Sequence, residues 1–359
     1  MQVFLGSGYA SLNLVECLQA GAVGADRWEE TMTDMTRRSV LTGTAAAALG
    51  SMASTPTQAA APPSGKQAPG VYRYKVGTHE VTVLTDGARS FPLTESYVTN
   101  APIAEVRKAL EAAYLPPDKM IHHYAPIVIN TGAKLVLVDT GSGPGALKQT
   151  NGELGQLPQN LAAAGIKMTD IDAVVISHFH GDHVNGLLDE NNKLAFPNAE
   201  VLVPAAEWKF WMDDGEMSRA PKGRMEDLFK NNRRIFDALG RKVTPYEWNK
   251  ELASGLIPLP TVGHSAGHTS YVLSSGSAKL YIQSDVTNHP DLFARHPDWG
   301  GFFDQDPAQA VATRRKVYDM LVADRMLVQG FHYPFPGLAR VEKAEAGYRV
   351  VPAAWSPTL

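Results

Sequence analysis

Apolar and polar positions along this chain follow two different periods. Alternating or β-branched apolar runs predict strands at HEVTVLTDG, APIVINTG, KLVLVDTG, IDAVVIS, AEVLVP, GLIPLPTVG, TSYVLSSG, KLYIQSD and RMLVQGF. Apolar positions three or four residues apart predict helices over 103–114, 156–164, 205–212, 224–239 and 307–323. Because the strands come in bunches, with helices between the bunches, we expect an α+β fold. The expected architecture is an αββα sandwich of two mixed β-sheets packed face to face, with helices outside.

Polar residues stand where several of these strands end. Asp139 ends LVLVD, His178 follows AVVIS, Asp285 ends LYIQSD, and His332 follows MLVQGF. Folds that combine helices with sheets usually build their sites where strand ends converge on one edge of a sheet. We therefore expect these four side chains to share a site.

The segment SHFHGDHVNG gathers three histidines and an aspartate at one strand end. On extended backbone, positions i and i+2 point the same way, so His178 and His180 can meet one metal ion. Gly181 allows a sharp turn, after which Asp182 and His183 face a neighbouring position. Imidazoles and a carboxylate suit zinc, or manganese, iron or cobalt at similar geometry. The segment therefore predicts ligands for two adjacent divalent ions.

Four ligands do not complete a site for two ions, since each ion needs about four donors and a catalytic site leaves room for water. Further candidates follow later strands of the chain, and these are His264 and His268 in GHSAGHT, Asp285 and His332. The remaining histidines have loop-like contexts and are expected to be structural or surface residues, and they include His122, His123, His289 and His296.

Composition excludes several classes of function. The net charge is 33 − 37 = −4, and no dense basic run indicates a nucleic-acid partner. No apolar stretch reaches the roughly 18 residues of a membrane span. The single cysteine is Cys17, so the chain beyond the N-terminal region has no thiolate ligand, disulfide or cysteine nucleophile.

The N-terminal region has the layout of an export signal. Residues 32–61 contain Arg37 and Arg38, then an uncharged Ala-rich stretch and small residues, and they resemble a twin-arginine signal peptide, with Val40 where that motif often has Phe. Residues 1–31 form an upstream extension without a clear role, and 62–70 form a Pro/Gly/Ser linker. The expectation is an exported, periplasmic bacterial protein whose enzyme domain spans 71–359.

The order and spacing of the candidate ligands resemble the dinuclear set of the metallo-β-lactamase-fold hydrolases. The resemblance implies that His178, His180 and His268 bind one ion, and that Asp182, His183 and His332 bind the other. Asp285 would bridge both ions, together with a water or hydroxide. His264 would then only support its loop. LVLVDTGSG resembles the structural Asp-Thr-Gly turn of these enzymes, which would lie beneath the site.

Three segments, VTVLTDGARSFPL, DPAQAVATRRKVYDML and HYPFPGLARV, resemble the methyl parathion hydrolase group. This implies hydrolysis of phosphotriesters, esters or lactones by a metal-bridging hydroxide, with Asp182 and Asp285 as the catalytic carboxylates. Asp182 would carry a proton to a poor leaving group. An acyl-homoserine lactonase shares all these ligands and stays open as the alternative. A β-lactamase or a thioesterase fits less well, because Asp285 argues against the cysteine-free β-lactamases and no basic cluster suits glutathione.

We expect an apolar substrate pocket, with Phe91, Trp208, Trp211 and Phe335 as its lining. These aromatic side chains also suit core packing or the face of a homodimer. Two other classes remain to be separated by experiment, namely a mononuclear iron oxygenase on the same fold and a non-catalytic metal-binding protein. A complete second set of ligands argues against the oxygenase. The second site has few protein ligands and so implies an open position, which argues against a purely structural metal site.

Overall fold

The structure, a computed structural model, describes residues 63–359, and residues 66–359 form one compact unit. The predicted twin-arginine signal and the upstream extension lie outside the described residues. No helix within 63–359 is both long and apolar enough to cross a bilayer.

The strands follow one another along most of this range. In chain order they are β1 (Val71–Val76), β2 (His79–Leu84), β3 (Gly87–Pro92), β4 (Lys119–Tyr124), β5 (Ile127–Asn130), β6 (Leu135–Val138), β7 (Ala173–Val175), β8 (Glu200–Pro204), β9 (Val243–Tyr246), β10 (Leu256–Pro260), β11 (Thr269–Ser275), β12 (Ala278–Ser284), β13 (Leu327–Gly330), β14 (Leu338–Ala344) and β15 (Gly347–Pro352).

The α-helices lie between groups of strands. They are α1 (Ile103–Ala112), α2 (Gly143–Gln149), α3 (Leu157–Ala163), α4 (Gly181–Val184), α5 (Ala205–Trp211), α6 (Asp214–Arg219), α7 (Arg224–Leu239) and α8 (Pro307–Asp324). Short 3₁₀ turns span Met168–Asp170, Asn185–Leu187 and Gly240–Lys242, and a π-turn spans Pro290–Ala294.

Two mixed sheets contain most of these strands. The first sheet has the order β1-β2-β5-β6-β7-β8-β9, the second has the order β10-β11-β12-β13-β14-β15, and β3 pairs with β4 separately. Within the first sheet β6 to β9 run parallel, and within the second β12 and β13 run parallel, while the other pairs are antiparallel. Both sheets are therefore mixed, as predicted.

Buried apolar side chains form three layers across the molecule. Between the sheets, Val83 and Val175 of the first sheet join a cluster with Leu273 of the second. On the outer face of the first sheet, residues of α3 and α7 such as Phe236 cover the strands. On the outer face of the second sheet, α8 packs through residues such as Tyr318. This arrangement is the predicted αββα sandwich, and it removes both faces of both sheets from water.

Parallel pairing brings the functional strand ends together. Val138 of β6 pairs with Val175 of β7, so the segments that follow both strands leave the first sheet at one edge. In the second sheet, β12 and β13 run side by side, with a register shift just before Asp285. Ser284 has a φ of 52°, a left-handed conformation that turns the chain at this point. Strand ends from both sheets therefore carry the polar residues singled out in the sequence.

Candidate metal centre

The predicted ligands fall into two compact groups of side chains. One group contains His178, His180 and His264, and the other contains Asp182, His183, Asp285 and His332. Within each group, one potential ligand atom per residue lies within 4.8 Å of all the others. The segment after β7 contributes to both groups, as its spacing predicted. The remaining members come from the loop after β10, from the end of β12 and from the segment after β13.

In the first group, three ring nitrogens face one another. His180 Nδ1 lies 3.0 Å from His178 Nε2 and 2.9 Å from His264 Nε2. His178 and His264 therefore present Nε2 to the common point, and His180 presents Nδ1. Three imidazole nitrogens converging in this way form a facial arrangement that suits a divalent transition metal.

The second group combines two carboxylates with two imidazoles. His183 Nε2 lies 3.2 Å from Asp285 Oδ1, and His332 Nε2 lies 3.1 Å from Asp285 Oδ2. Asp182 Oδ2 closes the group at 3.4 Å from His332 Nε2. The side chain of Asp182 is 27% exposed, whereas those of His183, His332 and Asp285 are buried. One side of this group is therefore open to solvent.

Asp285 lies between the two groups. Its Oδ2 atom is 3.3 Å from His264 Nε2 and 3.8 Å from His178 Nε2, while both of its oxygens reach the second group. Asn288 Nδ2 donates to the same Oδ2 over 2.8 Å and fixes the orientation of the carboxylate. Asp285 therefore occupies the position that a bridging carboxylate requires.

Two divalent cations fit this set of donors. Within the described part of the chain, His183 Nε2 and Asp285 Oδ1 are buried, and neither has a hydrogen-bond partner. Buried polar atoms without partners are rare and call for an explanation, and a cation held between them would satisfy both. Imidazole and carboxylate donors favour zinc, manganese, iron or cobalt over calcium, which prefers oxygen ligands alone.

Electrostatics in the protein alone indicate the same need for positive charge. Burial raises the pKa of Asp285, but His332 and His183 beside it bring that pKa well below its usual range. Burial lowers the pKa of His332, yet Asp285 and Asp182 together raise it to about 9. The carboxylates of Asp285 and Asp182 therefore favour positive charge at this point.

The roles predicted for His264 and His268 are reversed in the structure. His268 Nδ1 donates to the carbonyl of Thr261 over 3.0 Å, and its Nε2 accepts from the amide of Asp285 over 3.0 Å. Both ring nitrogens are thus engaged in hydrogen bonds, and neither is free for an ion. His264 instead joins His178 and His180. It follows Gly263, whose φ of 125° allows the turn that aims His264 inward.

Oxygen acceptors hold the outer nitrogens of the ligand candidates His183 and His332. His183 Nδ1 lies 2.9 Å from Asp139 Oδ2, and His332 Nδ1 donates to the carbonyl of His123 over 2.7 Å. Such contacts fix the tautomer and orientation of a metal-binding imidazole. Asp139 therefore lies beneath the site, as expected from the Asp-Thr-Gly turn. Its second oxygen accepts from the amide of Ser177, which anchors the start of the histidine segment.

Asp304 orients His264 in the same way, although no sequence pattern singled it out. Its Oδ1 atom lies 2.9 Å from His264 Nδ1. Arg314, buried in α8, lies 3.7 Å from Asp304 Oδ2 and donates to the carbonyls of Val286 and Trp299. Asp304 belongs to the irregular segment GFFDQDP, where no periodic pattern marks it. Only the tertiary fold brings this carboxylate to His264.

Glu207 is a second residue that the sequence did not single out. Its buried carboxylate accepts from the amides of Phe179 and Gly267 over 2.9 and 2.5 Å. It also accepts from Ser265 Oγ and from Trp211 Nε1. Burial raises the pKa of Glu207, although these hydrogen bonds oppose the effect. Glu207 therefore ties the histidine segment of the first sheet to the loop that carries His264.

Replacing Asp304 with asparagine should weaken metal binding at the first group. Asparagine keeps the shape but removes the charge that orients His264 and raises the basicity of its Nε2. We expect Asp304→Asn to lower metal affinity about 10- to 100-fold, measured by competition with a chromogenic chelator. Asp298→Asn is the matched control, because Asp298 pairs with Arg315 at the surface. Equal affinities in the two variants would contradict this role of Asp304.

A cavity of about 720 Å³ opens over both groups. Its floor contains the ligand candidates His180, Asp182, His264, Asp285 and His332. Its walls are mixed, with the apolar side chains Phe91, Leu228, Phe302 and Phe303 beside the cationic side chains Arg89, Arg224 and Arg234. The expectation of an apolar pocket therefore holds for only part of the wall.

Only one of the four predicted lining residues reaches this cavity, namely Phe91. Trp211 is fully buried against Phe229, because its indole donates to Glu207 inside the core. Trp208 packs edge-on against Phe236 in the same helical layer. Phe335 is 38% exposed and lines a separate cavity of about 270 Å³ near Arg295 and Arg349. The predictions for Trp208, Trp211 and Phe335 were therefore wrong.

The histidines expected to be structural or surface residues differ from one another. His296 stacks on Trp299, with ring centroids 4.0 Å apart, and lies away from the cavity. His289 is buried next to the second group, and burial, with His123 and His332 nearby, lowers its pKa to about 4. His122 lies in β4, is buried and lines the cavity. The loop-like context predicted for His122 is wrong, because Lys119–Tyr124 forms the strand β4, and His122 is one of its buried residues.

The fold and the donor groups agree with a match between chain segment 125–325 and the family model of the metallo-beta-lactamase superfamily. This match covers more than half of the chain, so the chain belongs to the metallo-beta-lactamase superfamily. Membership confirms the predicted fold and the prediction of a metal-dependent hydrolase.

Individual relatives include two solved structures. The chain is 28% identical to AidC, a dizinc quorum-quenching lactonase solved with the product N-hexanoyl-L-homoserine, with a TM-score of 0.75 over 80% of this chain and 99% of that one. It is 25% identical to AbOPH, a hydrolase of the beta-lactamase superfamily, with a TM-score of 0.73 over 81% of this chain and 100% of that one.

A curated relative is the Anti-Pycsar protein Apyc1 of Saccharibacillus brassicae. It is 31% identical to this chain over 143 residues, which are 38% of this chain. The match spans 54% of that relative, so only about half of its length is compared.

Proposed function

We propose that this protein is a dinuclear metal-dependent hydrolase that opens lactones, and that N-acyl homoserine lactones are the substrate class that fits it best. The observation that carries this proposal is the pair of donor groups joined by Asp285 on the floor of an open cavity. The likeness to the dizinc lactonase AidC supports the choice of lactones.

We assign one ion to His178, His180 and His264, and the other to Asp182, His183 and His332, with Asp285 between them. Zinc is proposed because the donors are imidazoles and carboxylates and because AidC is a dizinc enzyme. Two such ions, when bound, would supply a nucleophile from water at neutral pH and would polarise a carbonyl or phosphoryl oxygen.

The chain's own residues would divide the remaining work. Asp139, Asp304 and the carbonyl of His123 hold the imidazoles in one orientation, which removes reorganisation from the reaction. Of the two carboxylates in the donor groups, Asp182 is the more exposed to the cavity, so it is placed to hold a proton for a departing alkoxide. The apolar part of the wall, around Phe302, suits the acyl chain of such a lactone.

Phosphotriester or aryl ester hydrolysis, as in the methyl parathion hydrolase group, is the second candidate. Three segments of the sequence favour it, and the donor set serves either reaction. A phosphotriester with a nitrophenolate leaving group needs no proton from Asp182, whereas a lactone opening to an alkoxide does. The two candidates therefore differ in how strongly they depend on that carboxylate.

A hydrolysis panel on the zinc-loaded protein separates these candidates. The panel contains N-hexanoyl-homoserine lactone, a neutral nitrophenyl phosphotriester, a nitrophenyl ester and a β-lactam. We expect the lactone to give the highest kcat/KM, and Asp182→Asn to lower lactone hydrolysis more than phosphotriester hydrolysis. A phosphotriester preference of about tenfold or more would favour the second candidate. Absence of hydrolysis of every substrate by protein loaded with about two ions per chain would reject the function.

A further inference from the structure

Tyr97 and His122 form a buried pair at the wall of the cavity. Tyr97 is 1% exposed, and its Oη atom lies 2.5 Å from His122 Nε2. Within residues 63–359 this ring nitrogen is the only hydrogen-bond partner of the Tyr97 hydroxyl. The aromatic rings of Phe293 and Phe303 enclose the phenol on other sides. The hydroxyl is therefore sealed from solvent and committed to one contact.

The contact between Tyr97 and His122 fixes the tautomer of His122. Burial raises the pKa of Tyr97 well above its usual value, so the phenol keeps its proton. A buried hydroxyl that donates to nothing is costly, and among the described residues the only acceptor within reach of Tyr97 is His122 Nε2. Tyr97 therefore donates, Nε2 accepts, and the proton of the neutral imidazole must reside on Nδ1.

The other ring nitrogen of His122, Nδ1, belongs to a side chain that lines the cavity. This atom has no hydrogen-bond partner among the described residues. The buried side-chain atoms without a partner do not include it, so Nδ1 is accessible. His122 itself lines the cavity over the donor groups. Its ring centroid lies 5.6 Å from that of His332 and 5.0 Å from that of Phe91. An N–H donor of fixed orientation therefore faces the space beside the second group.

We propose that His122 donates a hydrogen bond from Nδ1 to the carbonyl or phosphoryl oxygen of the substrate, and that Tyr97 is the positioning residue that keeps the proton on Nδ1. This inference rests on the proposed hydrolase function. Negative charge grows on that oxygen during attack, and a donor that is already oriented stabilises it without reorganisation. His122 keeps its proton throughout, so no acid–base step is assigned to it.

Two amide substitutions of His122 test the proposal because each imitates one ring nitrogen. The side-chain nitrogen of asparagine lies close to the Nδ1 position, whereas that of glutamine lies close to the Nε2 position. We expect His122→Gln to lower kcat by about 10- to 100-fold with KM changed less than about threefold. His122→Asn should recover a clear part of that loss. Equal kcat values for His122→Gln and the wild type would overturn the proposal.

Tyr97→Phe tests the positioning role with little change in packing. We expect kcat to fall about two- to fivefold, because the ring of His122 then populates both tautomers and only the fraction protonated at Nδ1 can donate. Tyr114→Phe is the matched control, since Tyr114 is 99% exposed. Metal content should stay the same in every variant, which separates loss of the donor from loss of an ion.

A readout independent of activity is the ¹⁵N spectrum of the histidine side chains in the full-length protein. The wild type should show His122 protonated at Nδ1 only, and Tyr97→Phe should show a mixture of tautomers. Protonation of wild-type His122 at Nε2 would overturn the inference, even if the protein hydrolyses lactones. A different result would be protonation of His122 at Nδ1 in a protein that hydrolyses no substrate of the panel. That result would confirm the tautomer of His122 and reject the proposed function.

Discussion

Asp285→Asn should abolish hydrolysis while leaving the fold intact. Among the described residues, Asp285 is the only carboxylate that contacts both donor groups, with Oδ1 at His183 and Oδ2 at His264 and His332, so losing its charge affects both ions. Asparagine has nearly the same volume and can keep the contact with Asn288. We expect activity to fall on the order of 1,000-fold or more and metal content to fall below two ions per chain. Activity assays and elemental analysis of the dialysed protein measure the two effects.

The control for this variant is Asp291→Asn. Asp291 lies in the same segment, but its side chain is 30% exposed and pairs with Arg295 outside the donor groups. Its replacement should change activity by less than about twofold, as for most surface substitutions. Full activity and full metal content in Asp285→Asn would refute its place between the ions.

Asparagine at position 264 should remove one ion, whereas asparagine at position 268 should leave both. His264 presents Nε2 to His178 and His180, and asparagine is too short to reach that point. His268 lies outside both donor groups, and asparagine can keep the hydrogen bond from its Nδ1 position to Thr261. We expect affinity at the first group to fall by roughly 100-fold or more in His264→Asn, and by less than about tenfold in His268→Asn.

The number of ions bound per chain, measured by titrating metal into the protein in a calorimeter, distinguishes these two variants. The expected stoichiometry is about one ion for His264→Asn and about two for His268→Asn. A melting temperature measured beside each titration identifies loss of folding, which matters because His268 also accepts from the amide of Asp285. Two ions in His264→Asn and one ion in His268→Asn would instead support His268 as the ligand, as the sequence resemblance implies.

Central strands of both sheets could be predicted because burial on both faces leaves a continuous apolar pattern. The strands β6 and β7 read LVLV and AVV, while β11 and β12 each contain a shorter apolar core, YVL and LYI. The structure contains all four strands. The missed strands lie at edges or carry polar and proline residues. For example, β14 reads LARVEKA, and β9 contains Pro245. Helix α7 was predicted with its correct bounds because Gly223 and Gly240 flank its apolar pattern.

Within the site, the sequence correctly predicts the positions of residues that come directly after a strand. It does not predict the direction of a side chain that lies in a loop. His178, Asp285 and His332 stand at or just beyond the ends of buried strands, so their convergence could be expected. His264 and His268 stand in one loop, and the turn at Gly263 determines which of them points inward. Trp211 points to the core because Glu207 accepts from its indole. Such orientations depend on tertiary contacts that no local pattern encodes.

Each donor group takes residues from both sheets. His178, His180, Asp182 and His183 follow a strand of the first sheet, whereas His264, Asp285 and His332 belong to loops and strand ends of the second. Neither sheet alone presents enough donors to retain an ion. Local separation of the strand ends of the two sheets would leave each ion with too few donors, so the lifetime of the bound ion should shorten as this edge of the sandwich opens more often.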